Sequence, residues 1–265
     1  MDQATIIALL LALFISIEAL KGRFFKPAAT IDDRIVEIFS TLIVPLVVVP
    51  SIFLVTNGAM GHLFPHAKDT LSEHSVWVLL LILIVGDDMV QYWWHRMFHS
   101  IPVLFNLHRA HHEPRYISVR VVYRNGFLYY SLLLPLYISA VLIYLGLGQV
   151  YVYYGLTKVL VILGAHCAVP WDKFLYENDR LSWLAWIVER TISTPSTHHA
   201  HHGMNVSDGV TNFNGNYGNL LFLWDVIFGT AKITRNYPNA YGVPDDRRPT
   251  FLRQIFFPFL RSWKT

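Results

Sequence analysis

Long apolar runs alternate along this chain with short polar segments dense in arginine, lysine and histidine. Five runs approach the ~20 apolar residues that a helix needs to cross a bilayer. They are Ala4–Leu20, Ile35–Thr56, Val76–Trp94, Phe127–Leu147 and Val150–Ala168. The first is short, and the second carries Pro45 and Pro50, which favour a kink. The last two are joined by a tight Gly146–Gln149 turn and read as a helical hairpin. The expected fold class is all-α, a multi-pass transmembrane helical bundle of about five spans. A helical cap over 95–125 and 169–265 is expected outside the bilayer. No repeat, Gly/Ser linker or low-complexity tract marks a boundary, so 1–265 reads as a single membrane-embedded domain. No basic segment precedes Ile6, and the start does not read as a secretory signal.

Composition agrees with this pattern. Of the 265 residues 54% are hydrophobic and 15% charged, whereas soluble domains carry about 25% charged residues. The net charge of +3 is small, but its distribution is informative. Lys21, Arg23, Lys26 and Arg34 follow the first span. Arg96, Arg109, Arg115, Arg120 and Arg124 follow the third, and ten more lie between Lys173 and Lys264. Lys68 alone falls on the other side, and Lys158 lies within a span. By the positive-inside rule the basic side is cytoplasmic, which puts the N-terminus outside and the C-terminus inside. Buried core helices of a soluble protein would not produce this asymmetry. Cys167 is the only cysteine, which excludes an intramolecular disulfide framework, Cys-rich zinc sites and Cys-ligated iron–sulfur clusters. In its apolar stretch it reads as a small core residue.

Nine of the thirteen histidines fall in three clusters on the basic side. His95 and His99 are four apart, hence on one helical face, where the third span leaves the membrane. His108, His111 and His112 have i, i+3, i+4 spacing, and His198, His201 and His202 repeat it. His199 points about 100° away from His198 and is left out of the ligand set. His62, His66 and His74 lie in the expected exterior loop. Imidazole suits iron, zinc, copper and nickel. Eight convergent imidazoles are too many for one ion and suit two, and iron can activate oxygen where zinc has no redox chemistry. His-Glu-x-x-His is absent, because Tyr116 stands where the second histidine would be. Glu-x-x-His pairs and G-x-G-x-x-G are absent too, so electrons are expected from another protein.

Asp88-Met-Val-Gln-Tyr92-Trp-Trp-His95-Arg96, then His99, then His108-Arg-Ala-His111-His112 resembles the fatty acid hydroxylase/sterol desaturase superfamily. Thr194-Pro-Ser-Thr-His198-His-Ala-His201-His202-Gly203, Asn216-Tyr217-Gly218, Trp224-Asp225 and Phe228-Gly229-Thr230 continue the likeness. The last segments are most similar to the alkylglycerol monooxygenase-like branch. The resemblance spans roughly residues 87 to 235. It implies two non-haem iron ions at the cytosolic face, O2 as co-substrate, a lipid substrate within the bilayer, and an external electron donor (cytochrome b5-like, ferredoxin-like or a reductase). The same histidine pattern serves hydroxylation and desaturation, and both outcomes stay open. In that superfamily an additional ligand often lies on the span before the third cluster, which here is His166. At His199 the ether-lipid branch tends to carry arginine.

Asp87 and Asp88 interrupt an apolar run, where carboxylates are costly and usually functional. Asp88 lies two turns before His95 and is expected to accept the free N–H of an imidazole. Asp225 is a similar candidate by resemblance alone, and Asn216 and Tyr217 are expected to order the last loop. Trp183, Trp186 and the tail Phe251–Lys264 mix aromatics with basic residues, as an interfacial anchor or a lining for substrate access does. Nothing points to nucleic acid. A histidine-rich metal transporter or sensor is the non-enzyme alternative. It would hold its ligands near the bilayer midplane, whereas these cluster at and beyond the span ends.

Overall fold

The structure is a computed structural model, and it describes residues 2–26, 28–244 and 248–260. Its described residues are helical, with two isolated bridges and no named strand. Among the described residues four helical stretches are long and apolar enough to cross a membrane: Gln3–Leu20, Ile31–Leu63, Val76–Ser100 and Phe127–His166. The first three are called α1, α2 and α3. The fourth contains both of the last two expected spans. Its main helices are α5 (Leu134–Leu142) and α6 (Gly148–His166), following the short α4 (Pro102–His112). Many large apolar side chains on these helices stay exposed, among them Leu9, Leu46, Leu54 and Trp77. That surface suits lipid rather than water, and the protein is an integral membrane protein.

Local signals start and stop the helices. Asp2 caps α1, accepting from the Thr5 N–H at 2.8 Å. Thr30 and Asp33 form a reciprocal capping box for α2. Pro45 lies in a widened π-helical turn, Val44–Val48, which absorbs the hydrogen bond that proline cannot make. A second π-turn, Ile84–Met89, carries Asp87 and Asp88. Ile101 is extended before Pro102, so α3 stops at Ser100 and Pro102 opens α4.

The chain reverses at Gly146. Its φ of +114° is open to glycine, and a Cβ there would meet the Ser72 backbone nitrogen at 2.8 Å. The 64–75 loop covers this turn: Asp69 and Leu71 donate to the Tyr144 and Leu145 carbonyls, and the Tyr144 hydroxyl to that of Phe64. At the opposite end Phe98 packs on Tyr129, with ring centroids 5.0 Å apart, and His166 meets His111. The described histidines of all three clusters therefore share one end of the bundle with the 21–26, 113–126 and 167–244 segments. His62, His66 and His74 are exposed at the other end.

Two buried acids from the first helices hold the 113–126 loop at the histidine end. Glu18 accepts from Ser118 Oγ at 2.5 Å and from the Val119 and Ala168 N–H groups at 3.0 and 2.8 Å. Arg124 is fully buried. Its guanidinium donates to Asp33 Oδ1 at 2.8 Å, the Ala110 carbonyl at 2.7 Å and Gln254 Oε1 at 2.5 Å. Gln254 belongs to the helix Phe251–Phe256, in the aromatic tail. Residues 261–264 of that tail lie outside the described residues. Trp183 and Trp186 are exposed.

Within the bundle Asp87 accepts from the Tyr154 hydroxyl and the Lys158 ammonium, each at 2.7 Å. Lys158→Met strands the carboxylate and should cost about 3–5 kcal/mol, the range for breaking a buried pair. The double variant Asp87→Asn/Lys158→Met should recover most of this. Thermal unfolding in detergent checks it, and purely additive losses would deny the pair its role.

Candidate metal centre

Nine imidazoles converge where α3, α4 and α6 end against α7 (Pro195–His201). The capping box of Thr194 with Thr197 and Pro195 in the first turn start α7. All nine histidines are no more than a tenth exposed. They form two groups, within each of which the possible ligand atoms lie within 4.8 Å of one another. His95, His99, His108, His112 and His201 make the first, and His111, His166, His198 and His202 the second.

The grouping refines the expectation of one face per cluster. Residues four apart stay together, as in 95/99, 108/112 and 198/202. The residue between them in each triplet, His111 or His201, turns to the other group. Adjacent residues differ by about 100° around a helix, so α4 and α7 each present ligands to both groups. His166, the last residue of α6, joins the second group. His199 joins neither: its Nε2–H donates to the Cys167 carbonyl at 3.1 Å and its Nδ1 accepts from the Tyr241 hydroxyl at 3.3 Å. Burial holds its pKa down to about 3.

The hydrogen bonds fix the chemistry of the ring nitrogens. His95 Nδ1 faces the Tyr217 carbonyl at 2.8 Å, His201 Nδ1 the Gly215 carbonyl at 2.8 Å, and His166 Nδ1 the Ile162 carbonyl at 2.8 Å. His111 Nδ1 faces the carbonyls of Val121 and Arg124 at 3.1 and 3.2 Å. A carbonyl only accepts, so these Nδ1 atoms carry the protons and each Nε2 keeps a bare lone pair. Yet Nε2 atoms confront each other: His95 and His201 at 3.1 Å, His111 and His166 at 3.3 Å. His198 Nε2 lies 2.9 Å from that of His166 and 3.2 Å from that of His202. No proton joins the pairs whose tautomers are fixed, and lone pairs repel. Both ring nitrogens of His99 and His112 are also buried without partners. A cation within each group resolves both problems, since imidazole nitrogens about 2.1 Å from an ion fall roughly 3 Å apart. The residues therefore fit two metal ions. Burial pushes His108, His111, His112, His198, His201 and His202 well below the usual histidine range, which keeps them in the neutral, ligating form.

The surroundings orient these rings. Asn125 Oδ1 takes the Nδ1–H of His108 at 2.8 Å, and Tyr129 stacks on His108 with centroids 4.9 Å apart. Phe213 packs on His99 and His112 at 5.0 and 5.2 Å. Asp225 accepts from the Tyr217 and Gly218 N–H groups at 2.8 and 2.6 Å and from Thr230 Oγ1 at 2.6 Å. It thus fixes the loop whose Tyr217 carbonyl holds His95. Burial pushes its carboxyl up, against those three hydrogen bonds. Asn216, at a left-handed φ of 55°, bonds the Thr197 and Lys232 carbonyls at 2.8 and 3.0 Å, so it and Tyr217 do order the last loop. Gly215 has no room for a Cβ, which would meet the Thr230 carbonyl at 2.5 Å.

Asp88 has partners other than the expected imidazole. Its Oδ2 accepts from Trp224 Nε1 at 2.9 Å and the Leu221 N–H at 3.2 Å. Two helical turns put it about 10 Å along the axis from His95, beyond hydrogen-bond reach. It anchors the start of the Leu223–Ile227 helix, which carries Asp225. Sequence reasoning also missed Asn125 and the carbonyls of Val121, Gly215 and Tyr217. Asn125, beside Arg124 in the polar break Arg124-Asn125-Gly126, had a signal; the carbonyls had none.

An all-helical membrane protein with two buried polyhistidine groups at one bundle end is a membrane metalloprotein. The model of the family described as fatty acid hydroxylase matches residues 80–230, and the chain belongs to that family. Among curated relatives, alkylglycerol monooxygenase of Danio rerio is 28% identical over 59% of this chain and 31% of its own length. Alkylglycerol monooxygenase of Homo sapiens is 25% identical over 84% of this chain and 45% of its own. The chain thus spans less than half the length of these relatives. No solved structure matches.

His111→Ala should lose most bound metal, and His62→Ala none. Asn125→Ala, which removes the acceptor on His108 and the long donor bond to the Tyr130 hydroxyl, should weaken metal retention by roughly 10–100-fold. Metal per chain by mass spectrometry after dialysis checks this. Native retention in Asn125→Ala would remove that residue from the centre.

Proposed function

We propose that the protein is a membrane-bound, O2-dependent, non-haem di-iron monooxygenase that hydroxylates an aliphatic C–H of a lipid, whether fatty acyl, ether lipid or sterol. The observation that carries this is the pair of imidazole groups whose bare lone pairs converge, set at the end of lipid-exposed helices. His95, His99, His108, His112 and His201 would hold one ion, and His111, His166, His198 and His202 the other. Two iron ions bound there would supply O2 activation and abstraction of the substrate hydrogen.

The chain's own residues position and protect. Asn125 and the carbonyls of Val121, Gly215 and Tyr217 orient the rings, and Asp88 and Asp225 act through the 217–225 segment. Phe105 packs on His99 with centroids 5.6 Å apart, and with Phe213 and Tyr129 it gives the first group an apolar wall that would favour a C–H substrate over solvent. Electrons would come from a separate cytochrome b5-like, ferredoxin-like or reductase partner. The chain would form one membrane-embedded domain, its spans capped by 95–125 and 169–265, with the metal centre and C-terminus cytoplasmic and the N-terminus outside. The charge asymmetry supports this orientation.

A desaturase using the same histidines is the second reading. The name monooxygenase on the relatives favours hydroxylation. Metal transport fits poorly with ligands at the bundle end. Isotopically labelled O2 fed to membranes with the native electron donor should leave label in the lipid product or an aldehyde derived from it. A new double bond with label in water alone would mean desaturation instead. For topology, reporters fused after Lys26 and Pro114 should report cytoplasm, and one at His66 the outside. A cytoplasmic His66 would overturn the orientation.

A further inference from the structure

At the histidine end α1 packs on α6 and on the Val119–Val121 turn, while α2 packs on that turn and on Phe251–Phe256. The two helices leave a groove of about 710 Å³ between them, a volume typical of ligand sites. Leu11 and Ile15 of α1 and Ile38 and Leu42 of α2 line its apolar part, with Val119 as the floor.

The mouth of the groove is cationic. Lys26, Arg34 and Arg120 line it against one carboxylate, Glu37. Glu37 is already engaged, accepting from the Tyr116 hydroxyl and lying 3.9 Å from Arg124. Arg120 Nε pairs with Glu37 at 3.4 Å, while its Nη2 is buried and makes no hydrogen bond. Such a donor is costly to leave unused. Among the described residues Lys26 and Arg34 have no ion pair or side-chain hydrogen bond. Burial pushes the Lys26 ammonium below the usual lysine range, against the pull of Glu18. Lys26 also borders a polar cavity of about 580 Å³ with Arg23, which leaves room for a headgroup. An apolar slot between two membrane helices, ending on three cations of which Lys26 and Arg34 have no ion pair among the described residues, matches a lipid carrying a phosphate.

We propose that this groove binds an anionic phospholipid of the surrounding membrane, its alkyl chain between α1 and α2 and its phosphate on Lys26, Arg34 and Arg120. The lipid is a resident and not the substrate. Val119, 1% exposed, closes the floor, and beyond it the Val121 carbonyl holds the His111 ring. The groove lies outside the wall that orients the second histidine group.

The test uses the full metal-loaded chain, delipidated in neutral detergent. Binding is read by native mass spectrometry and by the thermal unfolding midpoint. Phosphatidylglycerol should bind and raise the midpoint. Phosphatidylcholine with the same chains, and inorganic phosphate alone, should do far less. Lys26→Gln/Arg34→Gln should weaken phosphatidylglycerol binding roughly 25-fold, at about fivefold per cation. Ile38→Trp, which fills the groove and keeps every charge, should exclude the lipid too. Metal content should stay native in all variants, so failure here leaves the oxygenase reading untouched. Equal effects of the zwitterionic lipid, equal effects of phosphate alone, or undiminished binding in the variants would each overturn the proposal.

Discussion

Lone pairs of neutral imidazoles are forced to face one another in this protein, and the surrounding architecture serves that unfavourable contact. A protonated histidine could not sit there, because burial and its neighbours both oppose the charge. A rotated ring would put an N–H where a lone pair must be. The rings are therefore pinned from behind, chiefly by main-chain carbonyls of 121–124 and 215–217. Two buried charged side chains hold those segments in turn: Arg124, braced by Asp33 and Gln254, and Asp225, braced by the Tyr217 and Gly218 N–H groups.

This arrangement explains why the membrane helices carry acids so close to their ends. Glu18 on α1 and Asp33 on α2 do not touch a histidine. They clamp the loop that does, so the lipid-facing helices and the polar centre form one mechanical unit. The apolar surfaces of α1 and α2 place the helices, and their terminal carboxylates transmit that placement to Asn125 and the Val121 carbonyl.

Much of the centre was legible in the sequence. Histidine spacing pointed to eight of the nine ring positions, the family resemblance to the ninth, His166, and Gly146 marked the reversal between α5 and α6. The partition of His108, His111 and His112 into two groups was not legible, because i+3 and i+4 straddle the partner's direction and only the facing helix decides which goes where. Asp88 misled because phase was weighed without rise: the same face two turns away is too distant for contact. In the sequence Arg124 is one more cytoplasmic charge, because a fully buried guanidinium looks identical there to a surface one. The carbonyls that hold the rings carry no residue-type mark at all, which is why the orienting machinery was the least visible part.

The π-turn Ile84–Met89 lies between the lipid-facing start of α3 and its two ligands. Each residue of an α-helix advances the side-chain direction by about 100°, so a widened turn acts as a phase joint. Upstream, Leu79 and Leu83 face the apolar core; downstream, His95 and His99 face the first ligand group. The register of this helix is thus a length-dependent property, open to insertion and deletion as well as to substitution. Excising a single residue within 84–89 would let the turn close to α geometry with the phase of His95 and His99 kept, whereas the same excision in the α-helical stretch 90–94 would keep all nine histidines in the chain yet turn those two about 100° away from the site they were spaced to reach.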